Sequence, residues 1–302
     1  MALNHNIKGA LLMSLAMACF NFNDAMIKLV TDDLTTGQIM FIRGVLTSLM
    51  ILAVAWRLSA LRPIPALFDK WLLLRTAGEI VAAITYVYAL SMMPLPNAAA
   101  VLQALPLAVT MGAALFLGEQ VGWRRWLAIL VGFLGVMVII QPGAEGFSFA
   151  SLMVVGSVFG AAIRDLATKK IDPAVPSLMI SLVAAVSICL TGAIWVGVTG
   201  TWKPVSVDNL LILAFGSVML FGGYQTIIMA MRTGEISFIA PFRYTSLLWA
   251  IALGILLIGE MPDAWMLAGS TIVVAAGLYA FYRETVLQRR RRAETGNSPV
   301  VP

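Results

Sequence analysis

The sequence predicts an all-α integral membrane protein whose ten transmembrane helices form two inverted five-helix repeats. Three observations carry that prediction. The first is composition: of 302 residues, 60% are hydrophobic and 12% charged, against roughly a quarter charged in a soluble domain. The second is a series of ten apolar runs, suited in length to a hydrocarbon core of about 30 Å at about 1.5 Å rise per residue. The third is an internal register. Gly118-Glu119 closes one apolar run and Gly259-Glu260 closes another, 141 residues later, and the same offset carries Asp24 to Asp165 and Lys28 to Lys169. A duplication of this length in so apolar a chain points to a transporter built from two homologous halves.

The runs fall at 9–30, 38–56, 71–92, 96–117, 125–141, 148–168, 177–198, 208–230, 236–258 and 264–283. The first is long and lacks a small-residue cleavage site, so it reads as a retained span and not a signal peptide. It holds Asp24 and Lys28. The second carries Arg43, and the third carries Glu79 four residues after Arg75. The fourth is interrupted by Pro106, and the fifth is the shortest and contains Gly132 and Gly135. The sixth repeats the first with Asp165 and Lys169. The seventh and the first hold the two cysteines, Cys189 and Cys19, each read as a small buried hydrophobe. The eighth carries Tyr224 and Gln225, the ninth Pro241 and Arg243, and the tenth Gly269 and Gly277. Connections are short, so successive spans are expected as antiparallel neighbours.

Positive charge sets an orientation. Lys8, Arg57, Arg62, Lys70, Arg75, Arg124, Arg125, Lys169, Lys170, Arg232, Arg283 and the run Arg289 to Arg292 fall on one side when spans are counted alternately. The opposite loops hold Asp32, Asp33, Glu145, Asp263 and one clear cation, Lys203. Both termini are therefore expected in the cytoplasm, in a multi-pass protein of a bacterial-type inner membrane. Five spans per half is an odd number, so the second half enters from the opposite side. That inversion places a substrate site between the halves near the midplane. The domain expectation is an N-terminal segment at 1–8, a first repeat at 9–143, a second at 148–284 and a basic, disordered cytoplasmic tail at 285–302. The tail's charge lies at the membrane edge, where it meets anionic lipid and not nucleic acid.

The stretch Ala89–Gly143, ending ALFLGEQVGWRRWLAILVGFLGVMVIIQPG, and the stretch Ala230–Glu284, containing PFRYTSLLWAIALGILLIGE, each look like the carboxyl half of an EamA domain. The chain over residues 8–284 resembles the drug/metabolite transporter superfamily, ten-helix EamA type. Its opening FNFNDAMIKLV followed by FIRG is similar to branches that include S-adenosylmethionine and riboflavin uptake proteins; other relatives export amino acids. The resemblance implies a central cavity lined by spans of both halves, with the fifth and tenth spans at the periphery.

A charge inside a span costs at least about 2.5–3.5 kcal/mol on insertion scales and calls for a partner or a purpose. Asp24 and Lys28, one helical turn apart, are expected to pair, as are Asp165 and Lys169. Glu79 either pairs with Arg75 or faces the cavity, where it binds a cationic group or carries a proton. Asp24 and Glu79 are the coupling candidates. Pro106 and Pro241 free backbone carbonyls inside their spans. Gln103 and Tyr244 are repeat mates beside them, which makes the fourth and ninth spans candidates to line a cavity. With Arg43 and Arg243, the candidate substrate-binding set is completed by Phe20, Asn23, Tyr86, Tyr224, Gln225 and Trp249, aromatic and amide groups suited to a flat solute. Trp71, Trp123, Trp126, Trp202 and Trp265 lie near span ends and read as interfacial anchors.

The expected activity is secondary-active movement of a small organic metabolite by alternating access, as an exchanger or coupled to protons. Candidate solutes are S-adenosylmethionine, riboflavin or an amino acid. The alternative is an integral membrane enzyme acting on a lipid-linked substrate, but the sequence holds no H-E-x-x-H, G-x-S-x-G or in-span acidic metal cluster. Neither a cofactor nor a metal is expected. Partners are the solute and membrane lipids, in a monomer or homodimer.

Overall fold

The computed structural model describes residues 2–57, 69–142, 148–172, 175–233 and 236–296. Among them every regular element is helical. Ten helices are long and apolar enough to cross a membrane. They are α1 (Ala2–Leu29), α2 (Thr36–Arg57), α3 (Lys70–Leu90), α4 (Leu95–Phe116), α5 (Trp123–Ile140), α6 (Phe149–Thr168), α7 (Ser177–Thr199), α8 (Val207–Thr233), α9 (Ala240–Ile258) and α10 (Ala264–Gly296). Two boundaries differ from expectation. Helix α1 already begins at Ala2, and α10 continues to Gly296 through residues expected to be disordered. Leaving the lipid does not end a helix, and arginine and glutamate are good helix formers. Arg62 and Glu145 lie outside the described residues.

The packing turns the sequence register into a spatial one. Helix α1 packs on α8, α3 on α6, α2 on α7, α5 on α10 and α4 on α9. Replacing each helix by its mate five places away converts the α1–α8 pair into α6–α3 and returns the other three pairs to themselves. The repeats are therefore related by a pseudo-two-fold, the arrangement of an inverted repeat. Small residues allow the self-paired helices to meet. A Cβ on Gly44 would lie 2.6 Å from the Cα of Cys189, and one on Gly192 would press on the amide of Phe41. Gly135 and Gly269 approach each other's carbonyls in the same way between α5 and α10. Apart from each other, α5 and α10 touch chiefly α4, which leaves them at the edge of the bundle.

Both glycine-glutamate steps are the same helix stop. Gly118 and Gly259 take φ of 68° and 80°, the left-handed region that glycine adopts without a Cβ penalty. The amides of Glu119 and Glu260 then bond back to the carbonyls of Ala113 and Gly254, at 3.1 and 2.9 Å. The turn aims each glutamate at the opposite repeat. Two helix breaks also correspond. Helix α4 is interrupted at Gln103–Ala104, ahead of Pro106, and α9 changes from a 3-10 turn containing Pro241 to α-helix between Tyr244 and Thr245. Each proline lacks the amide that would continue the ladder.

Candidate functional site

The in-span charges form a file through the bundle, closed at each end by a lysine-glutamate pair. At the end away from the termini, Lys28 Nζ lies 3.3 Å from Glu260 Oε1. It also donates to the carbonyls of Leu90 and Met93 at 2.8 and 2.9 Å. Glu260 Oε2 accepts the Leu95 amide at 2.7 Å, a carboxylate at the N-terminus of α4. At the opposite end Lys169 Nζ lies 3.4 Å from Glu119 Oε1. These pairs are images of each other under the two-fold. They correct the expectation that Asp24 pairs with Lys28 and Asp165 with Lys169. Lys28 sits in the last turn of α1 and Lys169 caps the end of α6, where each reaches a glutamate and, at Lys28, the free carbonyls at the end of α3.

Asp24 is held instead by neutral donors: the Tyr86 hydroxyl at 3.0 Å and the Asn23 amide at 2.9 Å. Arg43 donates to the Asn23 side-chain Oδ1 at 3.4 Å. In the second repeat, Arg164 takes the place of Asn23 and donates to Asp165 at 2.8 Å. Glu79, buried in α3, lies between two guanidiniums, Arg75 at 3.8 Å and Arg164 at 3.5 Å. The Arg75 pairing is thus present, with a second cation that sequence spacing did not suggest. Tyr224 lies within electrostatic reach of Glu79, Arg164, Arg75 and Arg43, and its ring meets that of Phe20 edge-on at 5.4 Å. Arg243 lines a cavity together with Asp165.

Two cavities border this file. One, about 30 Å³, lies between α2, α3, α7 and α8 and is lined by Arg43, Thr47, Arg75, Glu79 and Tyr224 with apolar residues of the second repeat. The other, about 170 Å³, lies beside the Lys169–Glu119 pair and is lined by Pro106, Asp165, Arg243 and Glu284 among others. Of the candidate residues, Arg43, Glu79 and Tyr224 line the first and Arg243 the second. Phe20, Asn23, Asp24 and Tyr86 belong to the adjoining network. Gln103 and Tyr244 are buried, with the Gln103 amide nitrogen and the Tyr244 hydroxyl unpartnered and the tyrosine pressed on Gly277. Gln225 and Trp249 line neither cavity; Gln225 is half-buried and Trp249 exposed. Sequence reasoning missed Thr47 as a site residue and treated Arg75 only as a partner for Glu79. Overlaying the repeats would have shown Thr47 opposite Ile188 and Arg75 opposite Gly216, polar against apolar.

Among the described residues no cluster of histidine, cysteine or acidic groups is arranged to hold a metal. The profile of the EamA-like transporter family matches residues 7–141. A riboflavin transporter of Vibrio cholerae is 31% identical over 225 residues, 74% of each chain. An S-adenosylmethionine uptake transporter of Rickettsia felis is 26% identical, covering 92% of this chain and 93% of its own. A pseudopaline exporter of Pseudomonas aeruginosa is 27% identical over 89% of this chain and 94% of its own. A crystal structure 17% identical in sequence superposes with a TM-score of 0.62 over 93% of this chain and 98% of its own, a likeness of fold. These relatives are transporters, which favours carriage over the enzyme alternative, and ten spans with bacterial relatives of this kind make a multi-pass inner-membrane protein. The chain belongs to the EamA-like transporter family.

Proposed function

We propose that the protein is a secondary transporter of a small organic metabolite that works by alternating access, the two repeats rocking about their pseudo-two-fold. One observation carries this reading. The same lysine-glutamate pair closes both ends of the charge file, but one copy is sealed and the other borders a cavity. Side chains at Lys28–Glu260 are 14% and 18% exposed, and those at Lys169–Glu119 are 51% and 46% exposed. Breaking the first pair and burying the second would open the other side, using equivalent contacts. With the termini in the cytoplasm, as the loop charges favour, the open end faces inward. Cysteines at Asp263 and at Arg124 should then label from opposite sides of intact cells; labelling of both from one side overturns that orientation.

Relatives include uptake and export proteins, so the solute and its direction are set by experiment. Purified protein in vesicles should show saturable counterflow with S-adenosylmethionine, riboflavin or an amino acid. Turnover of a lipid-linked substrate would instead support the enzyme reading. A disulfide between cysteines at Lys28 and Glu260 should stop counterflow, and reduction should restore it. Full-rate counterflow in the cross-linked protein contradicts alternating access. For proton coupling, Asp24 is the stronger of the two candidates, because only neutral donors touch it while Glu79 is bridged by two guanidiniums. Asp24→Asn should lose its response to an imposed pH gradient yet retain exchange. Unchanged gradient response shows that Asp24 carries no proton.

A further inference from the structure

The cavity between α2, α3, α7 and α8 has walls supplied by the two repeats. The first repeat contributes Arg43, Thr47 and Glu79. Their mates 141 residues on are Ala184, Ile188 and Leu220, and these line the same cavity from the second repeat. At these three positions the first repeat is charged or polar and its image apolar, while Ser181 and Tyr224 add polar groups on the second repeat's side. The duplication has produced an amphiphilic chamber at the junction of the repeats.

Three donors bordering this chamber have no hydrogen-bond partner in the protein: the Thr47 hydroxyl and the Nε and Nη1 groups of Arg75. They are buried; Thr47 is 4% exposed and the Arg75 side chain 12%. A buried donor without an acceptor costs about 1–3 kcal/mol, and more when charged, so this group is arranged for an acceptor that arrives from elsewhere. The charges agree. The chamber's own lining holds two guanidiniums, Arg43 and Arg75, against one carboxylate, Glu79, and is one negative charge short. Charges inside a membrane are kept with counter-charges. The chamber's 30 Å³ admits roughly two waters, enough for the two oxygens of a carboxylate; seating the rest of a solute requires the chamber to widen as the repeats move apart.

We propose that the transported solute is amphiphilic and carries a carboxylate, which docks on Arg75, Arg43 and Thr47 while its apolar portion lies against Ala184, Ile188 and Leu220. This deepens the carrier reading and rests on it for the word transported; the docking itself is tested apart from flux. A planar guanidinium offers paired donors to a carboxylate, which explains arginine here in place of lysine.

The test is thermal unfolding of the full-length, detergent-purified protein titrated with matched probes. The pairs are S-adenosylmethionine with its methyl ester and L-phenylalanine with L-phenylalaninamide; riboflavin and riboflavin 5′-phosphate supply neutral and phosphate arms. At least one carboxylate should stabilise the protein, with its ester or amide about tenfold weaker, as expected when a charged hydrogen bond is lost. Arg75→Gln should weaken that carboxylate about tenfold, and Thr47→Val by a few fold. Because the Thr47 hydroxyl has no internal partner, Thr47→Val should also raise the melting temperature of the unliganded protein, a signature that damage to the fold would not give. The proposal is overturned if acid and neutral partners bind alike, if no carboxylate binds, or if only riboflavin or its phosphate does. Counterflow of riboflavin that Arg75→Gln leaves unchanged would remove the carboxylate site and leave the carrier intact. Acid-selective binding without counterflow of any solute would support the site and remove the carrier.

Discussion

Lys28–Glu260 and Lys169–Glu119 are the same interaction in two surroundings. Their N–O separations differ little, 3.3 against 3.4 Å. What differs is everything around them. Lys28 is also tied to two carbonyls, and Glu260 to the first amide of α4. Lys169 and Glu119 border the larger cavity. Burial with satisfied hydrogen bonds makes the first pair hard to break one partner at a time, whereas an exposed pair contributes little. Under the alternating access proposed above, the difference between equivalent parts at the two ends would record which side is closed.

The largest expected effect follows directly. Glu260→Gln leaves a buried lysine without its counter-charge and should cost about 3 kcal/mol in stability. Adding Lys28→Gln should recover much of that loss, since no charge is then stranded. Thermal unfolding of the single and double variants checks this, and a double variant no better than Glu260→Gln would show that the pair is not a unit. Next come the turns. Gly118→Ala and Gly259→Ala each force a left-handed residue, costing about 1–2 kcal/mol. The cost should be similar at both ends, because both glycines are left-handed and a Cβ on either meets nothing within 4 Å. A large difference in measured unfolding would place the asymmetry in the backbone and not in the ion pairs. Smaller still is the coupling of Asp24 to its surroundings. A double-mutant cycle of Asp24→Asn with Arg43→Gln should be non-additive by at least about 0.5 kcal/mol. The cycle with Lys28→Gln should be additive; the reverse pattern would restore the pairing that spacing alone suggests. The smallest effect is Glu119→Gln, about 0.5 kcal/mol or less. A loss equal to that of Glu260→Gln would erase the contrast between the ends.

Much of the architecture is readable before any coordinates. Apolar run length gives the ten spans, because helix rise and bilayer thickness leave little freedom. The 141-residue register gives the two-fold and places Glu119 and Glu260 at opposite ends. Pairing across the bundle is harder to read. Asp24 and Lys28 are one turn apart on α1 and invite pairing, yet the lysine bonds a glutamate 232 residues away. Local spacing cannot weigh the free carbonyls of Leu90 and Met93 that also attract it. Glu79 shows the same limit: its partner Arg75 follows from helix geometry, while Arg164 comes from the facing helix of the other repeat. Thr47 carries no signal of its own in an apolar helix. It stands out when the repeats are overlaid, opposite Ile188, and the cavity then shows its hydroxyl without a partner.

The most direct test of the two-ended mechanism uses matched spin labels. Leu29 and Met261 lie beside the sealed pair, and their repeat mates Lys170 and Gln120 lie beside the open one. Distances between each labelled pair would be recorded in lipid, with and without a solute that shows counterflow. Alternating access requires opposite changes: the Leu29–Met261 distance lengthens in the population where Lys170–Gln120 shortens. Distances that change together, or that stay fixed while counterflow proceeds, would contradict it.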